Sequence, residues 1–215
     1  MVSGCFLPDD SSHTPGPPIA VVQQVVLAPV AMAADATVTL PIPTIASTDP
    51  VVLVIVAGAG SDGGLAGVHL GDTTMLLWHD DEPGCSRDVL TLASIERPTD
   101  ASAITIWSVS PTTVEVAILE LSSATNLTDT VSRAESFEHA AAPVTEALGG
   151  ELVLSTVSAC TASVQLAPSS FVSLGLTTPG ADVAYALPAD AQSMGAEWSF
   201  AGTASWASST SVITP

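Results

Sequence analysis

The chain contains no lysine, and its only basic side chains besides four histidines are Arg87, Arg97 and Arg133, against 22 Asp and Glu in 215 residues. That shortage excludes nucleic-acid binding, which needs a basic footprint to displace counterions from phosphates. It excludes attraction to anionic membrane surfaces for the same reason. Aromatic residues are also few, at 4% of the chain, which is sparse for a sugar-lined cleft. The longest apolar run covers 51–59, far short of the ~20 residues needed for a membrane-spanning helix. The first residues hold no Lys or Arg, and Gly4 and Pro8 break their apolar stretch, so no secretory signal is expected. Val2-Ser3-Gly4-Cys5 has the look of a lipoprotein cleavage box, without the upstream hydrophobic segment. Cys5, Cys85 and Cys160 are far apart and form no CxxC or Cys/His cluster, so buried or incidental thiols are expected rather than a zinc site. One disulfide stays open.

What is present is apolar and β-forming. Hydrophobic residues make up 47% and charged residues 12%, a balance that excludes disorder despite the formal charge of -19. Residues 1–18 are rich in Pro, Ser, Asp and Gly and read as an extended arm. From Ile19 onward, short β-branched runs recur every 8–12 residues between Pro, Gly, Asp and Ser/Thr clusters. Strands are expected over 20–28, 35–42, 51–57, 67–70, 73–79, 89–95, 103–109, 113–121, 151–158, 171–176, 181–187, 194–201 and 205–213. The continuously apolar 51–57 is expected to be central. Helix signals are weak, since Pro143 interrupts the Ala/Glu segment 136–148. The expected fold is all-β: an antiparallel, jelly-roll-like β-sandwich over 19–215 behind the 1–18 arm. Acids are expected on the surface. The nearly uncharged Ser/Thr/Ala-rich strands after residue 150 suit packing against another protein.

Chemistry-bearing clusters are weak. His79-Asp80-Asp81-Glu82 ahead of Pro83-Gly84 concentrates three carboxylates, and Asp80, Asp81 and Glu82 form a candidate Ca²⁺ site, because that cation takes six to eight oxygens. No other cofactor is expected. Gly58–Gly64 follows an apolar strand but has no lysine to complete a phosphate loop, so it reads as a loop between strands. His69 lacks a nucleophile elbow. Glu115 with Glu120, and Glu151 with Glu197, are conceivable glycosidase pairs that nothing in the sequence favours. Trp78, Trp107, Trp198 and Trp206 fall in expected strands and read as core or interface anchors, with sugar stacking as the alternative.

Ile104-Thr105-Ile106-Trp107-Ser108-Val109-Ser110-Pro111, followed by Val114-Glu115-Val116-Ala117-Ile118, resembles a β-sandwich module of virion structural proteins from tailed phages and related archaeal viruses. The early Val51-Val52-Leu53-Val54-Ile55-Val56 strand, Gly150-Glu151-Leu152-Val153-Leu154 and the closing Ser205-Trp206-Ala207 to Val212-Ile213-Thr214-Pro215 fit the same pattern. Thr112-Thr113 stands where that group usually has a Gly-rich turn. The resemblance implies a non-enzymatic protein on the particle exterior: a capsid-decorating, turret or tail component that self-associates and contacts a major capsid or other virion protein. Its expected contacts are Phe6, Leu7, Pro8, Pro17 and Pro18 of the arm, and Trp206. An acidic coat without lysine also suits a high-salt habitat, where screening shortens to ~3 Å at 1 M. The alternative is a carbohydrate-binding or adhesive module, secreted or at a cell surface.

Overall fold

The computed structural model describes residues 16–45, 51–60, 65–75, 78–80, 89–93, 102–124, 126–160 and 163–215. Every regular element among them is a strand, and every pairing is antiparallel. The N-terminal half supplies β1 (Val21–Met32), β2 (Ala36–Pro41), β3 (Val51–Gly60), β4 (Leu65–Leu70), β5 (Thr73–Thr74), β6 (Trp78–Asp80), β7 (Val89–Ala93), β8 (Ala103–Ser108) and β9 (Thr112–Leu121). The C-terminal half supplies β10 (Asn126–Ala141), β11 (Thr145–Ala147), β12 (Leu152–Ala159), β13 (Val164–Leu166), β14 (Val172–Ser173), β15 (Ala181–Ala186), β16 (Gln192–Met194) and β17 (Glu197–Thr214).

Side-chain alternation stacks these strands into layers. A five-stranded sheet runs β1-β9-β3-β7-β6. Val52, Val54 and Val56 of β3, with Val114, Val116 and Ile118 of β9, point into a core shared with Val68, Leu70, Ile104 and Ile106 of the β2-β8-β4-β5 sheet. Val51, Leu53 and Ile55, with Ala117, Leu119 and Leu121, point the other way. There they meet Leu152, Leu154, Val183 and Ile213 of the β10-β17-β12-β15-β14 sheet. The central strands β3 and β9 are therefore buried on both faces. This is why β3 reads as one unbroken apolar run. A third core lies beyond, where Val153, Val157, Ala184, Ala186, Trp198 and Trp206 pack with Met194 near the small β11-β16 ladder.

The β-sandwich expectation holds in this layered form. Among the described residues the strands form four sheets, of five, six, two and four strands. Three expectations need correction. Four acids, Glu115, Glu120, Glu151 and Asp182, are buried rather than on the surface. The uncharged C-terminal strands are interior: β12 is buried along its whole length, and Ser208 to Ser211 of β17 are buried with it. Their hydroxyls satisfy each other across the register, Ser155 with Thr210 at 3.1 Å and Thr156 with Ser209 at 2.7 Å, so a Ser/Thr-rich strand tolerates burial. β13, β14 and the first residues of β17 keep exposed or half-buried positions. Third, 126–141, where no strand is expected and a weak helix signal begins at 136, is the long strand β10 on the flank of β17.

β17 changes partner along its length. Its first residues lie between β10 and β13, and its last lie between β10 and β12. The switch falls at Gly202, where φ is +132° and the β10 register jumps between Phe137 and His139.

Candidate functional site

The buried acids are structural ties. Glu115, 1% exposed, sits on β9 on the face turned toward the C-terminal sheet. Its carboxylate accepts from Thr177 N (2.9 and 2.8 Å), Thr177 Oγ1 (2.9 Å), Thr178 N (2.7 Å) and Thr178 Oγ1 (2.8 Å). It thus clamps the β14–β15 connection to the middle sheet. Glu120 is also buried, but an offset of five on one strand puts it on the opposite face from Glu115. These two cannot act on one substrate. Glu151 accepts from Leu148 N at 2.6 Å, beside the Ile213 end of β17, whereas Glu197 is exposed at the other end. That pair is not assembled either.

Asp182 of β15 accepts from Ser173 Oγ at 2.7 Å and from Trp198 Nε1 at 2.8 Å. Burial pushes its carboxyl above the ordinary value, against the opposing pull of those two bonds and of the Val183 backbone. Trp198 and Trp206 line an open cleft of about 660 Å³ with His139, Gln165, Leu166 and Glu197. His139, Ser199 and Gln165 lie in register across β10, β17 and β13, yet among the described residues no side-chain hydrogen bond joins His139 to Ser199. The indoles are 1% and 2% exposed, so only their edges reach the cleft. Trp206 Nε1 is buried without a hydrogen-bond partner. Trp206, expected at a partner contact, therefore belongs to the core.

The remaining expected residues fall as follows. Phe6, Leu7, Pro8, Asp81 and Glu82 lie outside the described residues, and Asp80 ends β6. Among the described residues, no three His, Cys, Asp or Glu side chains converge as a metal site requires. Pro17 and Pro18 are exposed, but this part of the arm lies along its own chain. Gly16 faces Pro215, Pro18 faces Gly150, and Ile19 N donates to Gly150 O at 2.8 Å. Cys160 is disulfide-bonded, which settles the question its sequence left open; Cys5 and Cys85 are outside the described residues.

A surface that the sequence did not single out is the outer face of the β2-β8-β4-β5 sheet. Register places Thr37, Trp107 and Gly67 in one row, and Thr39, Thr105, His69 and Thr74 in the next. Thr39 Oγ1 and Thr105 Oγ1 are 3.2 Å apart, and Thr74 Oγ1 lies 3.4 Å from His69 Nε2. No residue in these rows is a carboxylate, on a chain of net charge -19. A Cβ placed on Gly67 would stand 2.3 Å from Trp107 Cζ2 and 2.7 Å from both flanking ring carbons. Equal, slightly longer distances to the two flanking atoms are those of approach along the ring normal. The indole therefore lies face-down on the β4 backbone. Trp107 as a whole is half-buried, and the His69 ring flanks it at a centroid distance of 4.8 Å, tilted by 47°. A glycine inside a strand opposite a Trp was the available sequence signal.

Comparison of the chain with protein-family models, curated proteins and solved structures found no match.

Proposed function

We propose that this chain is a non-enzymatic structural protein of a particle exterior, a capsid-decorating or tail-associated component of a virion. The observation that carries the reading is the use of its interior polar groups. Glu115, Asp182 and the Ser155–Thr210 and Thr156–Ser209 pairs all join strands or sheets. Such groups hold a scaffold and offer no nucleophile with its base. Three stacked cores suit a protein that must persist outside a cell, and the disulfide at Cys160 suits an oxidising exterior. The acidic surplus supports solubility and repels a packaged polyanion. The virion assignment itself rests on the strand motifs around Trp107.

The test is gradient fractionation of particles from the source culture, followed by immunogold labelling with antibody raised against the chain. Label on the outside of sedimenting particles is expected. Recovery solely as a soluble monomer, with unlabelled particles, would overturn the proposal.

A further inference from the structure

We propose that the outer face of the β2-β8-β4-β5 sheet, centred on Trp107, is a binding platform for a neutral polysaccharide chain. The inference does not depend on the particle assignment. The first support is the ring itself. Gly67 lets the indole lie flat on the strand beneath it, and Trp107 keeps part of its surface exposed. A large aromatic plane held parallel to a sheet surface matches the flat C–H face of a pyranose. It is a poor knob for a protein pocket, which takes an aromatic side chain end-on.

The second support is the hydroxyl row. Thr39, Thr105, His69 and Thr74 are neighbours across four strands, which at ~4.8 Å per strand gives a line of about 14 Å. Each side chain in it both donates and accepts, as a chain of sugar hydroxyls requires. The third support is charge. The rows hold no carboxylate to attract a cation and no Lys or Arg to pair with an anion. The molecule's field at -19 opposes uronic-acid or sulfated chains. A neutral glycan is the remaining class, and the extended row favours a chain over a single sugar.

Native affinity electrophoresis of the full chain, in gels containing dextran, galactomannan, laminarin, xyloglucan or alginate, tests this. Retardation is expected in at least one of the four neutral polysaccharides and not in alginate. Trp107→Ala should weaken that retardation about tenfold, the loss of one stacking contact, and Trp107→Phe should restore part of it. Gly67→Ala retains the indole but lifts it off the strand, and should weaken binding comparably. Near-ultraviolet circular dichroism and the melting temperature identify variants that have lost the fold; for these, Thr105→Ala and Thr39→Ala, on the exposed row, provide the reading. Absence of retardation in all four neutral polysaccharides would overturn the proposal. So would retardation unchanged by the Trp107, Gly67 and threonine variants. Loss of self-association in Trp107→Ala, by sedimentation velocity, with no glycan binding by the parent would instead make the face a protein interface.

Discussion

Glu115 and Asp182 are both acidic, both buried, and have opposite consequences. Glu115 meets four donors from two consecutive threonines, an acceptor-only group in an all-donor cradle. Glu115→Ala leaves those donors unpaired and should cost about 3 kcal/mol, read as a lower urea midpoint. Glu115→Gln should cost nearly as much, because its amide NH₂ would face hydrogens. Asp182 has fewer bonds, and burial dominates. Its folded pKa stands above the unfolded one, so its contribution to stability is complete below the unfolded value, 3.8, and is lost as pH rises through the folded value. Asp182→Asn keeps an acceptor for Trp198 Nε1 and removes the buried charge. It should be more stable than the parent at pH 7, with the gap closing as pH falls toward 3.8 in melts at graded pH. Neither behaviour was legible in the sequence, where Glu115 looked like an outward residue of an alternating strand. The donors at Thr177 and Thr178 are 62 and 63 positions away.

Elements were legible in proportion to how far their faces differ. β8 and β2 alternate, with Ile104 and Ile106 inward and threonines outward, and their boundaries follow from that pattern. β3 declared its central place by having no polar face. β10 was missed because Asp129, Arg133, Glu135 and Glu138 interrupt any apolar period. Its strand state comes from the long ladder with β17. β17 was expected as two strands, 194–201 and 205–213, and the gap is the bend at Gly202 rather than a break. A Cβ there would meet nothing within 4 Å, so the cost of Gly202→Ala is purely conformational. It should lower stability by ~1 kcal/mol or more, measured by denaturant titration, and should loosen the β13 end of the sheet first, visible as faster amide exchange at Val164 to Leu166.

At the scale of the whole molecule, charge and layering set behaviour. With 22 acids against three arginines, like charge predominates and repels itself in the folded state. Melting temperature should therefore climb as NaCl is raised from about 0.05 to 1 M, over which the screening length contracts several-fold. A flat or falling curve in differential scanning fluorimetry would show that the acids are already balanced locally. The layer order carries a different consequence. The central strands β3 and β9 have no solvent face: one side completes the core with β4 and β8, the other with β12 and β15. Cutting the chain between β9 and β10 would leave the first piece with a bare wall of Val51, Leu53, Ile55 and Leu119, and the second without the wall it packs on. Neither half could be exchanged for a counterpart by recombination within the gene. The two halves are bound to be inherited together, each holding the other's sequence in place.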